Sequence, residues 1–313
     1  MSSDIERTSG RARLAAGGAR SATLGALGRQ PGSQVLRNRI FFGLIVVALS
    51  IALLGLALVL IDAILKGRNS LSLDLVTNRT SPRAERAGFK VAILGTLYLI
   101  GFMILMVVPI GVGAAVYLEE YANKQRWWNR LIELNIQNLA AVPAIIYGIL
   151  GLAFIVRGPL DLGFILFAGS ITLALLVLPV VIIASREAIR AVPPSIREGS
   201  LALGVTQWQT IWRQVLPAAT PGILTGIIHA VSRAMGEAAP LLLLGATTFV
   251  TFNPQPFSDT GYTALPVLIY NYATRPQADI REVAAGGILV MLAVLLLMNS
   301  FAIWLRNRYE QRW

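Results

Sequence analysis

The stretch HAVSRAMGEAAPLLLLG, His229 to Gly245, places an arginine and a glutamate four residues apart inside an otherwise apolar run. On an α-helix that spacing puts Arg233 and Glu237 on one face. A charge at the centre of a bilayer costs about 2.5–3.5 kcal/mol on insertion scales, so two in one run need a reason. A guanidinium is permanently charged, and its donor fork suits a tetrahedral oxyanion such as phosphate, which carries about −1.5 to −2 charges near pH 7. Two readings are open: an ion pair that only fixes helix packing, or a site facing a pathway for an anion. In the second, Glu237 holds Arg233 while the pathway is empty and releases it to the anion, with a proton relay as the alternative role. Pro240 cannot bond the carbonyl of Gly236, which predicts a loosened helix beside Glu237. Loosened backbone at membrane depth is tolerated mainly where it lines a cavity. His229, one turn before Arg233, reads as a hydrogen-bonded packing residue.

The elements that must position this pair are apolar helices. The 313 residues are 55% hydrophobic and only 14% charged, where a soluble chain carries about 25%. A helix crossing the hydrocarbon core needs about 20 apolar residues. Six runs qualify: Ile40–Ile61, Val91–Leu118, Ile136–Val156, Leu162–Ser185, Pro221–Leu244 and Val283–Leu305. Residues 1–39 hold seven arginines among Gly, Ala and Ser and are expected to be a basic, disordered cytoplasmic tail. Residues 40–305 form the transmembrane domain, with a cytoplasmic loop at 185–220, and residues 306–313 a short cytoplasmic tail. With the N-terminus inside, the inner segments carry 17 Lys and Arg and the outer segments nine. That bias favours both termini in the cytoplasm. Helix breakers punctuate the spans, Pro143 in VPAIIYGILGL and Gly236 and Pro240 among them. They fit either close packing or kinked helices lining a pathway. The outer loop 249–282, rich in aromatics and Pro, fits a gate, a contact for an external protein or an interfacial aromatic belt.

The 185–220 loop carries its own pattern. Pro193-Pro194 breaks the chain, and Ser195-Ile-Arg-Glu198 has the spacing of a capping box that starts a helix. Gly204 allows a sharp turn. In TQWQTIWRQVL, Trp208, Ile211, Trp212 and Val215 recur at i, i+3, i+4 and i+7, an apolar stripe outside the membrane. Spacing alone leaves two uses for it, docking on the bilayer surface or insertion into a partner's groove.

EGSLALGVTQWQTIWRQVLP resembles the EAA loop of ATP-binding-cassette importer permeases, E-A-A-x3-G-x9-I-x-L-P. Glu198, Gly204, Leu216 and Pro217 match, while Gly199 and Ser200 occupy the alanine slots and Gln214 the isoleucine slot. The resemblance implies that this loop, with Trp208, Ile211 and Trp212, forms coupling helices seated in a cleft of an ATPase subunit. RAMGEAAPLLLLGA resembles the R-x-x-G-E-T-A-P-L-L segment of phosphate permeases of the PstA type, with Ala238 in place of Thr. VYLEEYA (116–122) and VPAIIYGILGL (142–152) are similar to that family as well. It implies an all-α polytopic protein with six transmembrane helices, the type I (MetI-like) importer permease fold. Implied partners are a related permease of the PstC type, two PstB-type ATPase subunits, an external PstS-type phosphate-binding protein and membrane lipid. Arg233 and Glu237 match positions that the family associates with transport of inorganic phosphate. ATP and Mg would be bound by the ATPases, and no cofactor or metal by this chain. A permease for another oxyanion, sulfate or molybdate, is the alternative.

Other classes fit less well. There is no HExxH, no nucleophile-plus-base motif, no G-x-x-x-x-G-K-[ST] and no cysteine, so neither an enzyme nor an ATPase is expected. The basic residues fall between apolar runs and do not form a nucleic-acid patch. A carrier working alone would have no use for a capped helical pair with an apolar cytoplasmic stripe.

Overall fold

The computed structural model describes residues 32–246, 250–258 and 261–309. Compactness divides the chain at Asp62–Ala63. The first unit holds most of α1 (Gly32–Gly67), a helix whose apolar residues face every direction, as a lipid-immersed segment requires. It starts at Gly32, inside the 1–39 stretch expected to be tail. Arg37 and Arg39 are good helix formers and extend the apolar helix at its polar end. The rest of the expected tail, residues 1–31, lies outside the described residues.

The second unit contains α2 (Lys90–Val116), α3 (Trp127–Ala140), α4 (Ala144–Leu150), α5 (Leu166–Arg190), α6 (Pro194–Ala202), α7 (Gln207–Thr210), α8 (Leu216–Met235), α9 (Ala239–Leu243), α10 (Leu265–Ala273) and α11 (Ala278–Tyr309). Wider, π-type turns extend α2 through Tyr117–Tyr121 and α4 through Gly151–Val156, and another, Ile211–Val215, joins α7 to α8. Among the described residues the fold is all-α, with one isolated bridge between Ala246 and Tyr262. Five helical runs are long and apolar enough to cross a membrane, and α3 with α4 makes a sixth if that bent pair is one span.

Two expected spans are not straight rods. The third bends by 104° between α3 and α4, where Pro143 stands as N-cap of α4. The fifth runs from Gln207 to Gly236 and breaks there, with Pro240 at the start of α9. The expected bounds of the 185–220 loop and the 306–313 tail also move. α5 continues to Arg190, α8 begins at Leu216, and α11 continues to Tyr309. Polar side chains at helix ends are compatible with continued helix, so loss of hydropathy does not mark the end of the helix.

α5 is the centre of this unit, buried along most of its length between α2 and α8. α2 offers it a stripe at three- and four-residue spacing, Thr96, Leu99, Met103, Val107, Gly111 and Ala115. α8 meets it along a seam of small residues. A Cβ added at Gly222 would lie 2.7 Å from that of Ala188, and one at Gly226 would collide with Ala184. Such close backbones gain dispersion contacts where lipid gives no hydrophobic drive.

At the end away from residues 185–220, the segment 68–90 closes over α10 and the start of α11. Phe89, Leu265, Leu268 and Tyr272 form the buried centre there. The Tyr272 hydroxyl donates to the Ser81 carbonyl at 3.1 Å and accepts from its amide, while burial pushes the phenol above its ordinary pKa. Thr96 crosses from α2 to accept the Leu265 amide at 2.9 Å, satisfying a helix-start donor. The described part of the 249–282 segment is packed in places. Tyr262 and Thr263 are fully buried, and Phe257 completes a three-ring cluster with Phe102 and Phe167. Phe252, Phe257 and Tyr270 remain exposed, so an exposed aromatic belt describes part of it.

Candidate functional site

Two broken helices meet in the second unit. α9 packs against α4, with Gly148 so close to Pro240 that an added Cβ would lie 2.7 Å from its Cα. Val142, Ala144 and Ala238, at the two breaks, lean on a core shared by Tyr147, Ala234 and Leu241. Tyr147 ties its own break together. Its hydroxyl donates to the Leu139 carbonyl at 2.8 Å, bridging from α4 to the last turn of α3. Tyr147 is buried and lies within charge range of Arg233. Sequence reading missed it because nothing in a lone tyrosine says that it spans a bend.

Arg233 sits in the last turn of α8, and Glu237 in the three-residue break, Gly236 to Ala238, that follows. The expectation of one continuous helix through both is therefore corrected, while the loosening beside Glu237 is present. Gly236 ends α8, as residues without a side chain often do. Arg233 Nε and Glu237 Oε1 are 3.7 Å apart, and both side chains are partly exposed, at 33% and 24%. That is an ion pair too long for a hydrogen bond. Among the described residues the Arg233 guanidinium makes no hydrogen bond, so its fork stays open. A charge pair whose purpose was packing would be expected to be shorter and bidentate. His229 departs from expectation. It is exposed on this chain rather than packed. The same helix is tied to α11 by Ser232, whose hydroxyl lies 2.9 Å from Asn299 Oδ1.

The loop residues 194–216 form a helix–turn–helix. α6 begins at Pro194, whose fixed φ suits a first helical position, so Ser195 falls inside the helix and caps nothing. The expected capping box is absent there. It occurs at Thr206 and Gln209, which satisfy each other's backbone amides at the start of α7. Gly204 makes the turn with φ +79°, a value that disfavours any side chain. Ser200 and Thr210 hydroxyls close the pair at 2.9 Å. Glu198 is exposed on α6 with Leu201 and Leu203. The apolar stripe divides. Ile211 and Val215 are buried, Val215 in a cluster with Ile189 and Val192, whereas Trp208 and Trp212 stay exposed, edge-to-face at 5.4 Å. The π-type turn at Ile211–Val215 rotates the stripe off a single face. With Leu216, the two tryptophans line a groove of about 540 Å³ against Pro109, Val112 and Tyr117 of the α2 end. Pro217 follows in the first turn of α8.

The carboxylates of LEEYA drew attention only as a matching string. The structure makes them a charge centre. Glu119 lies 4% exposed against Lys124, Arg186 and Arg190, and Glu120 pairs with Arg197 of α6 at 2.7 Å. Pairing across 77 positions is not written in spacing.

Residues 107–313 match the family described as binding-protein-dependent transport system inner membrane component. The chain is 36% identical over 266 residues to the phosphate transport system permease protein PstA of Haemophilus influenzae, covering 84% of this chain and 92% of that protein. It is 33% identical over 277 residues to the probable ABC transporter permease protein YqgI of Bacillus subtilis, with the same coverage. PstA 1 of Mycobacterium tuberculosis strain H37Rv is 35% identical over 227 residues, 72% of this chain and 71% of that protein. Among solved structures, a bacterial alginate ABC transporter superposes with TM-score 0.65 at 18% identity, over 88% of this chain and 96% of that one. The inward-facing MetNI methionine ABC transporter superposes with TM-score 0.55 at 18% identity, over 69% and 92%. Those two likenesses establish the six-helix importer permease fold and no more. With the family match from residue 107 onward and PstA proteins alike across most of its length, this multi-pass membrane chain belongs to the inner membrane components of binding-protein-dependent transport systems, as a permease of the PstA type.

Proposed function

We propose that the chain is a transmembrane subunit of an ATP-driven importer of inorganic phosphate, and that phosphate passes Arg233. The observation that carries the reading is the open guanidinium at the junction of two broken helices, held by Glu237 at 3.7 Å. Pairing with Glu237 keeps the empty site near neutral, and a dianion with four oxygens competes for the fork by accepting the hydrogen bonds that the carboxylate does not. The substrate assignment draws on the printed function of the PstA relatives. A related permease of the PstC type would complete the pathway, an external PstS-type protein would deliver phosphate, and two PstB-type ATPases would bind ATP and Mg. In this reading both termini are cytoplasmic, and the loop around Glu198–Pro217 docks on the ATPases. ATP binding closes the ATPases, the loop moves and the helices part on alternate sides. Hydrolysis belongs to those partners.

The test is uptake of labelled phosphate in cells lacking their own system, rescued by the whole importer with native or Arg233→Gln chain. Co-purification of the ATPase checks assembly. Uptake should fall at least about tenfold, a loss near 1.4 kcal/mol in the transport barrier. Persisting uptake in an assembled complex would return the pair to a packing role. Sulfate and molybdate as competitors distinguish the sister oxyanions.

A further inference from the structure

At the end that carries residues 185–220, α6 buries none of its own residues. Ile196 leans on a small core and Ser200 reaches Thr210, but the strongest hold is Arg197. Its Nε and Nη2 donate to Glu120 at 3.0 and 2.7 Å. Nη1 donates to the Val192 carbonyl at 2.7 Å, and Nη2 also to that of Ile189 at 2.8 Å. Glu120 lies in the π-type turn after α2, Ile189 in the last turn of α5 and Val192 two residues past its end. One side chain on α6 thus grips the ends of both helices that make up the centre of the unit. Gln207 adds a bond from the next helix to the Glu120 carbonyl, at 2.8 Å. Glu119 locks α2 to α5 beside it through Arg190 and Arg186, and Arg186 reaches Glu133 of α3 at 3.0 Å.

Apolar contacts allow sliding, whereas a guanidinium fork fixes both distance and direction. We infer that Arg197 is the positioning residue that carries a displacement of α6 to α2 and α5, through Glu120 and the carbonyls of Ile189 and Val192. The inference rests on the proposal that α6 docks on the ATPase. Without the fork, α6 moves while the helices stay behind, and ATP is spent without transport.

The complete importer in liposomes, with its binding protein and inorganic phosphate, tests this through two readouts on the same vesicles, phosphate taken up and ATP hydrolysed. Arg197→Met and Glu120→Gln should retain the ATPase and its hydrolysis while phosphate moved per ATP drops about tenfold or more, as removal of one partner of a half-buried pair would cause. Arg197→Lys, which keeps the charge and loses the fork, should recover only part of the ratio. The double variant should be no worse than the worse single, because both remove one interaction. A ratio within about twofold of native in both assembled singles overturns the inference. If Arg197→Met does not assemble, the native complex decides. The chain has no cysteine, so with cysteine-free partner subunits spin labels on Ser195→Cys, exposed at the start of α6, and Tyr121→Cys report the α6–α2 distance alone. That distance should hold within about 2 Å when ATP binds, and a change of about 5 Å, one helical turn, overturns the inference. A native chain that fails to co-purify with the ATPase removes the docking proposal itself; an uncoupling defect missing from assembled variants removes only this one.

Discussion

Arg233 and Arg197 are the same side chain put to different uses by geometry. Arg197 spends its donors on one carboxylate and two carbonyls, all at 2.7–3.0 Å. Arg233 has a single contact at 3.7 Å. The first arrangement is costly to break, and the second can be exchanged for a passing ligand. Tyr147 belongs between these extremes. Its hydroxyl satisfies the Leu139 carbonyl exposed by the break before α4, and its ring packs beside Ala234 and Leu241. Tyr147→Phe keeps the ring and leaves the Leu139 carbonyl with only the Val142 amide, at 3.2 Å, and loss of the shorter hydrogen bond should cost about 1 kcal/mol. Thermal unfolding of the purified complex should register that loss. Initial uptake should slow several-fold with ATPase binding unchanged, because the break near Arg233 is no longer pinned.

Helices carry the next level of explanation. The α5–α8 seam depends on residues that have nothing to spare for a methyl group. Gly226→Ala would press a Cβ into Ala184, and overpacking of this kind costs about 1–3 kcal/mol. Gly101→Ala, with open space around it, should leave the unfolding midpoint where it is. Much of this scale was legible in the sequence. Hydropathy located every span, Pro143 and Pro240 marked breaks that exist, and Gly204 marked a turn that exists. What failed failed for identifiable reasons. Ser195–Glu198 has capping-box spacing, but Pro193-Pro194 starts the helix a residue early and moves the serine inside. The tryptophan stripe obeys a 3.6-residue period, but a π-type turn changes the period midway. Arg233 and Glu237 stand at helical spacing, but Gly236 ends the helix between them. The Glu119–Glu120 centre was beyond reach, since its partners come from α5 and α6 and only the folded chain brings them together.

At the scale of the molecule, six spans with the charged cluster at one end imply an orientation. The arginine-rich ends and the 185–220 loop should face the cytoplasm together. A cysteine-free chain makes the check direct. A membrane-impermeant maleimide should label Ser72→Cys in intact cells, and Ser9→Cys or Gln311→Cys only after permeabilisation. The opposite pattern would invert the topology and overturn the proposal that the 185–220 loop docks on cytoplasmic ATPases.

One feature of α6 bears on the life of the chain before it ever transports anything. The helix has no interior, and the residues after Glu198 leave Leu201 half exposed and Leu203 at 84% exposure, with the two tryptophans nearby. If this face docks on an ATPase as proposed, a newly made copy displays a greasy patch until that subunit covers it. Chaperones and proteases recognise such patches, so an orphaned copy advertises its own incompleteness. Excess subunits would be cleared and matched ones kept, and the balance of the assembly would be set by the surface that joins it rather than by how fast each part is synthesised.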